Sequence, residues 1–193
     1  MSSSRFPIPT SPRLAEAVAV VDATRALVNQ AFSALKAKVM DPNKPGRVSN
    51  ALLDEHQHVS FELAWNASEV AAAEAVLDWA DRARAAKKIA AEADLETVAP
   101  LLEERLATAY AAEVAANVRT RFLGHPDDFG LSLGAVVETL GSGVVGAFVG
   151  RELSSGNLAA IGQTIRDQQG SLGLRLLTED AEMMRATFRK FAD

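Results

Sequence analysis

Three stretches of the sequence bring together residue types that can do chemistry. Gly141-Ser142-Gly143-Val144-Val145-Gly146 is a literal G-x-G-x-x-G, the pattern that in a dinucleotide fold turns a strand into a helix and brings a pyrophosphate to the helix N-terminus. Its context argues against that use. Ala135 to Leu140 carries Glu138 where a buried parallel strand should be apolar, and no second strand ending in an acid follows Gly156. Glu55-x-x-His58 matches half of a ferritin-like di-metal site, in which one helix presents both ligands on one face. Such a site needs a second Glu-x-x-His. The only histidine outside 56–58 is His125, with Phe122 three residues before it, so no metal site is expected. The basic tract Arg82 to Lys88 could grip phosphate, but interleaved with alanine it reads as a solvated helical face. No spacing suggests a Ser/His/Asp arrangement, so neither catalytic nor cofactor-binding residues are assigned.

The elements that carry these stretches are helical. Ser11 and Pro12 read as an N-cap and first helical residue. Leu14, Val18, Val21, Val28, Phe32, Leu35 and Val39 then recur at four- and three-residue steps, with Arg25 interrupting. This predicts a helix over 12–40, roughly 43 Å long at 1.5 Å per residue. Asp41-Pro42-Asn43-Lys44-Pro45-Gly46 ends it. Ser49 or Asn50 can cap a second helix, predicted over 50–91, whose stripe Leu52, Val59, Leu63, Val70 and Leu77 is joined by Trp65, Val76 and Trp79. Without Gly or Pro, and with both tryptophans, this is the expected centre of the bundle. A third helix is predicted from Asp94 to 123, buried through Leu102, Leu106, Tyr110, Val114, Val118 and Phe122. The short turns between these helices make neighbours antiparallel.

From 130 to 173 the texture changes, because ten of the twelve glycines lie there. Short helices are expected near 132–140, 143–154 and 157–168. The apolar window Leu131–Val149 runs into Gly146-x-x-x-Gly150, a close-packing pattern of membrane helices. With Glu138 in its middle it reads instead as tight packing inside a soluble bundle. Thr178 then caps a last helix whose Met184, Phe188 and Phe191 share one face. The fold class is therefore an all-α antiparallel bundle: three long helices, short glycine-rich helices and a C-terminal helix.

Composition narrows the function classes. Cysteine is absent, which removes disulfides, thiolate metal sites and cysteine nucleophiles. A net charge of −5 provides no field for nucleic acid or anionic lipid. The start, Met1 to Thr10, has no apolar run of signal-peptide length and reads as a flexible leader over 1–11, so a cytoplasmic location is expected.

Leu53-Asp54-Glu55-His56-Gln57, then Phe61-Glu62-Leu63-Ala64-Trp65, then Ala67-Ser68-Glu69-Val70-Ala71-Ala72-Ala73-Glu74 resemble the amino-terminal helical extension of a branch of the acyl-CoA dehydrogenase family typified by methylsuccinyl-CoA dehydrogenase. Met183-Met184-Arg185-Ala186-Thr187-Phe188-Arg189-Lys190-Phe191-Ala192-Asp193 is similar to the opening helix of that family's catalytic core. The resemblance implies an extension domain over 12–170 and the first core helix over 178–193, with the rest of the core beyond Asp193. It implies a parent that oxidises an acyl-CoA with FAD and passes electrons to an electron-transfer flavoprotein. The catalytic glutamate and flavin site of such a parent map to no residue here, so 1–193 is expected to pack on the core and shape an oligomer without catalysing. His56 and Gln57 then read as hydrogen-bonding groups at the domain boundary. Trp65 and Trp79, fourteen residues apart and near one side of their helix, read as core or interface anchors, and Met184, Phe188 and Phe191 as a docking face. The competing class is a free-standing all-α interaction protein, with Trp65, Trp79 and the glycine-rich segment forming a homo-oligomer interface.

Overall fold

The computed structural model describes residues 11–87, 101–175 and 179–192, and these form an all-α protein. Among them, α1 (Pro12–Val39), α2 (Asn50–Glu55), α3 (Gln57–Ala86) and α4 (Leu102–Gly124) precede α5 (Leu133–Val136), a π-helical turn (Val137–Gly141), α6 (Gly143–Glu152), α7 (Ser155–Asp167) and α8 (Glu179–Ala192). The only β pairing described is an isolated antiparallel bridge between Met40 and Val48. Among the described residues, no strand leads into Gly141–Gly146 as a dinucleotide fold requires.

Local chemistry sets the helix ends. Pro12 begins α1, although the Ser11 side chain makes no capping bond. Ser49, Ser132 and Ser154 do cap, each accepting from a backbone N–H three residues on. The predicted second helix is two helices. His56 adopts φ −111°, ψ 22° and its N–H turns back to Leu53 at 3.0 Å, a tighter bond that interrupts the ladder before Gln57 restarts it. The apolar stripe crosses the break, because Leu52 and Val59 both meet the core, and so periodicity reads as continuous. The helix ends at Ala86 with Lys87 as its C-cap; residues 88–91 of the predicted span and the start of the third helix at Asp94 lie outside the described residues.

Interhelical contacts define the packing. Arg121 meets Glu69 while Arg84 meets Glu104, so α3 and α4 run antiparallel. Lys38 reaches the Asp128 carbonyl at 3.0 Å, and Arg13 and Thr108 converge on Glu152, so α1 and α4 run side by side in the same sense. The centre of the bundle is α4, which packs on α1, α3, α5, the π turn, α6 and α7, and not the 50–91 stretch. The reason is side-chain size. Ala107, Ala111, Ala112 and Ala115 are buried, and small residues on several sides of one helix let several neighbours approach. Trp65 is half exposed and Trp79 half-buried, so the tryptophans border the core instead of filling it.

The glycine motif builds a bend. Gly143 has φ +56°, a left-handed conformation that glycine adopts at little cost. It restarts the chain as α6, at 55° to the α5–π segment. A Cβ on Gly146 would lie 2.9 Å from the Gly141 carbonyl oxygen, which forces glycine there. Gly150, by contrast, faces open space, so only half of Gly146-x-x-x-Gly150 serves close packing. No single described helix is long and apolar enough to cross a membrane; the bent pair Leu133–Gly141 and Gly143–Glu152 meets that test only jointly, with Val136, Leu140, Phe148 and Val149 buried in the bundle.

Two substitutions separate these roles. Gly146→Ala is expected to destabilise by about 1–3 kcal/mol through overpacking, whereas Gly150→Ala should stabilise by about 0.5–1 kcal/mol through helix propensity. Urea titrations of both variants check the opposite signs.

Candidate functional site

The polar face of α3 meets the C-terminal end of α4 and its following turn. His58, Glu62, Asn66 and Glu69 recur at four- and three-residue steps and so project together. Opposite them stand Arg121 and His125. Arg121 donates to Glu69 at 3.1 Å and to Asn66 at 2.7 Å, and Trp65 Nε1 donates to Glu69 at 3.1 Å. Burial alone would raise the Glu69 pKa, but hydrogen bonds from Arg121 and Trp65 outweigh it and hold it below the ordinary value. The hydrogen bonds that Arg121 donates to Glu69 in turn raise the pKa of Arg121.

One turn earlier the pattern changes. His58 Nε2 lies 3.5 Å from Glu62 Oε1, and His125 Nε2 lies 3.6 Å from Glu62 Oε2. The ligand atoms of this trio lie within 4.8 Å of one another. His125 is held by the turn after α4 and stacks on Phe129, with ring centroids 5.8 Å apart. Phe129 is buried against Phe122 at 4.9 Å, which anchors the histidine's backing in the core. Glu62 Oε2 is buried without a hydrogen-bond partner. Phe61, Glu62, Trp65 and Arg121 line an open groove beside the trio.

The sequence-predicted residues fall unevenly around this groove. His56 is the helix break itself, and Gln57 is exposed with its amide on Asp54 at 3.3 Å. Trp65 lines the groove next to Phe61, ring centroids 6.1 Å apart. Trp79 is far along the helix, where its Nε1 donates to the Leu174 carbonyl at 2.9 Å. Met184 and Phe188 are 60% and 68% exposed on α8; the Phe191 side chain lies outside the described residues. The Glu55 and His58 pairing does not form the trio. Instead His58 joins Glu62, one turn on, and His125. The available signal was His58-x-x-x-Glu62, an i,i+4 pair on one helical face, and the missing information was the register that sets His125 opposite.

The other buried charged groups are structural. Glu152, wholly buried, accepts from Arg13 at 2.8 Å, Thr108 at 2.9 Å and Arg151 at 3.0 Å. At the far end of α3, Arg84 and Lys87 meet Glu104 and Glu103 at 3.2 and 2.8 Å. Compared with known protein families and with curated proteins, the sequence matches none of them.

Burial alone would raise the Glu152 pKa, but the bonds from Arg13, Thr108 and Arg151 outweigh it and the pKa is lowered. A lowered folded-state pKa gives stability that is present above the unfolded value, 4.5 for glutamate, and is lost as pH falls through the folded value. Glu152→Gln should therefore cost about 1.5–3 kcal/mol at neutral pH, the range for hydrogen bonds to charged groups. Its stability should also fall less steeply than wild type on acidification below pH 4.5, as urea denaturation across pH can measure.

Proposed function

We propose that this chain is a helical docking domain, the amino-terminal extension of a FAD-dependent acyl-CoA dehydrogenase of the methylsuccinyl-CoA type, which packs on the catalytic core and shapes its oligomer without catalysing. The observation that carries the reading is the exposed apolar face of α8. Met183, Met184 and Phe188 are 60–68% exposed, and among the described residues α8 joins none of the substantially packed helix pairs. Burying one such side chain contributes about 1.5–3 kcal/mol, so the face gains by docking. The same residues carry the resemblance to the opening helix of the dehydrogenase core. Residues His56 and Gln57, Trp65 and Trp79 would lie along the boundary with the rest of the enzyme. In the parent, FAD would accept hydride from the acyl-CoA and an electron-transfer flavoprotein would reoxidise it, on residues outside this chain.

A second reading is favoured by a specific observation. Phe61 and Trp65 present a second exposed apolar surface, an aromatic pair on α3, which suits a free-standing homo-oligomeric interaction protein.

The reading frame that encodes residues 1–193 decides between them. The dehydrogenase reading expects the whole frame to yield a yellow flavoprotein that oxidises methylsuccinyl-CoA, and the 1–193 chain to be colourless and inactive. A frame that closes after Asp193 overturns it. The α8 face is tested separately: 1–193 should self-associate weakly, and both Phe188→Ser and a chain ending at Leu177 should shift the sedimentation equilibrium toward monomer. Slow amide exchange across 184–190 in a monomer would show instead that α8 belongs to this bundle.

A further inference from the structure

We propose that His58, Glu62 and His125 form a binding site for one divalent transition-metal ion of the zinc class, clamping the start of α3 to the turn that follows α4. This inference is independent of the dehydrogenase reading.

The donor set is the first argument. Two imidazole nitrogens and a carboxylate are ligands suited to Zn²⁺ and its neighbours, and three protein ligands leave a fourth position for water or another group. Spacing is the second. Tetrahedral bonds of about 2.0–2.1 Å place ligand atoms about 3.3 Å apart, and the two histidine–glutamate distances are 3.5 and 3.6 Å. The two imidazole nitrogens lie within 4.8 Å of each other, and histidine side chains that are 68% and 43% exposed are free to rotate through the roughly 1–1.5 Å that closes a tetrahedral site.

The third argument is what Glu62 lacks. Arg121 gives its hydrogen bonds to Glu69 and Asn66 and reaches Glu62 only through its charge, so Glu62 Oε2 is buried with no hydrogen-bond donor. A buried carboxylate oxygen without a partner is costly, and a cation between the two imidazoles removes that cost. With neutral histidines the three ligands carry one negative charge toward a doubly positive ion. The ion would join residues that are 67 positions apart in sequence, from Glu62 and His58 on one helix to His125 beyond another. His125 already rests on the buried Phe129 ring, so one arm of the clamp is preset. Glu62 also lines the groove it shares with Phe61 and Trp65, so a fourth ligand would have access to the site from solvent.

The test uses the 1–193 chain stripped with a chelator and dialysed free of it. Titration with Zn²⁺ in a calorimeter should show one ion per chain, Co²⁺ should give the visible absorption of a tetrahedral site, and saturating Zn²⁺ should raise Tm by about 5 °C. His58→Ala, on an exposed side chain, and Glu62→Gln should each abolish the saturable binding and the Tm shift while leaving the circular dichroism unchanged. Gln57→Ala, on a neighbouring exposed side chain, should bind as wild type. If the wild-type chain takes up no ion saturably, or if binding survives in both His58→Ala and Glu62→Gln, the trio is only a hydrogen-bonding cluster and the proposal fails.

Discussion

The carboxylate of Glu152 is the point on which the arrangement of the helices depends. It sits at the end of α6, entirely out of water, and draws groups from three other helices: Arg13 on α1, Thr108 on α4 and Asn157 on α7, whose side-chain amide donates to the Glu152 carbonyl at 2.7 Å. Arg151 adds a fourth donor and carries the network outward to Glu16 at 2.6 Å, its guanidinium lying over Phe148. A buried carboxylate is tolerated only when its lone pairs are filled. Filling them here requires α1, α4 and α6 to hold one relative position, and the Asn157 bond to the Glu152 carbonyl ties α7 to the same point. Apolar burial alone would allow them to slide, since contacts among alanine and valine side chains are weakly directional. The network therefore specifies an arrangement that hydrophobic contact only permits.

The constraint acts together with the glycine bend. Glu152 can reach α1 and α4 because α6 leaves the π turn at an angle, and that angle depends on the left-handed Gly143 and on the close passage of Gly146 past the Gly141 carbonyl. The π turn is stabilised locally by Ser142, whose hydroxyl donates to the Glu138 carbonyl at 3.1 Å. The residues that imitate a nucleotide-binding loop are thus the ones that aim an acidic side chain into the core. The same glycines supply the small volume a phosphate loop would use, but no strand feeds them.

Much of this fold was legible before any coordinates. The apolar steps through Leu14, Val18 and Val21, and through Val59, Leu63 and Val70, report burial that the structure contains, because a helix repeats its face every three to four residues whatever lies opposite. The break at His56 was not legible. A single residue in a bridging conformation leaves the periodicity intact, and histidine has no strong preference that would flag it. The hub role of α4 was hidden for a related reason: alanine contributes little to a hydrophobic stripe, yet Ala107, Ala111 and Ala115 are the residues that admit neighbours. At the site, half of the geometry was present as His58-x-x-x-Glu62. The other half needed the antiparallel register of α3 and α4, which no local pattern encodes.

That register explains why one acid of the ladder is satisfied and the next is not. Glu62, Asn66 and Glu69 rise along α3 as Arg121 and His125 descend along α4 and its turn, so Glu69 and Asn66 fall opposite Arg121, and Glu62 falls opposite His125. A guanidinium offers several donors in a fixed fork and engages two acceptors at once. A neutral imidazole offers a single N–H, and at 3.6 Å it is beyond hydrogen-bond range of Glu62. Replacing His125 by arginine would complete the ladder in the manner of Arg121 and would leave no nitrogen lone pair to hold a metal. Histidine at this position forgoes the stronger ion pair, and in exchange it places a second ligating nitrogen beside a carboxylate that α3 already holds next to His58. The chemistry of the trio is in this sense the consequence of which cation the turn after α4 does not supply.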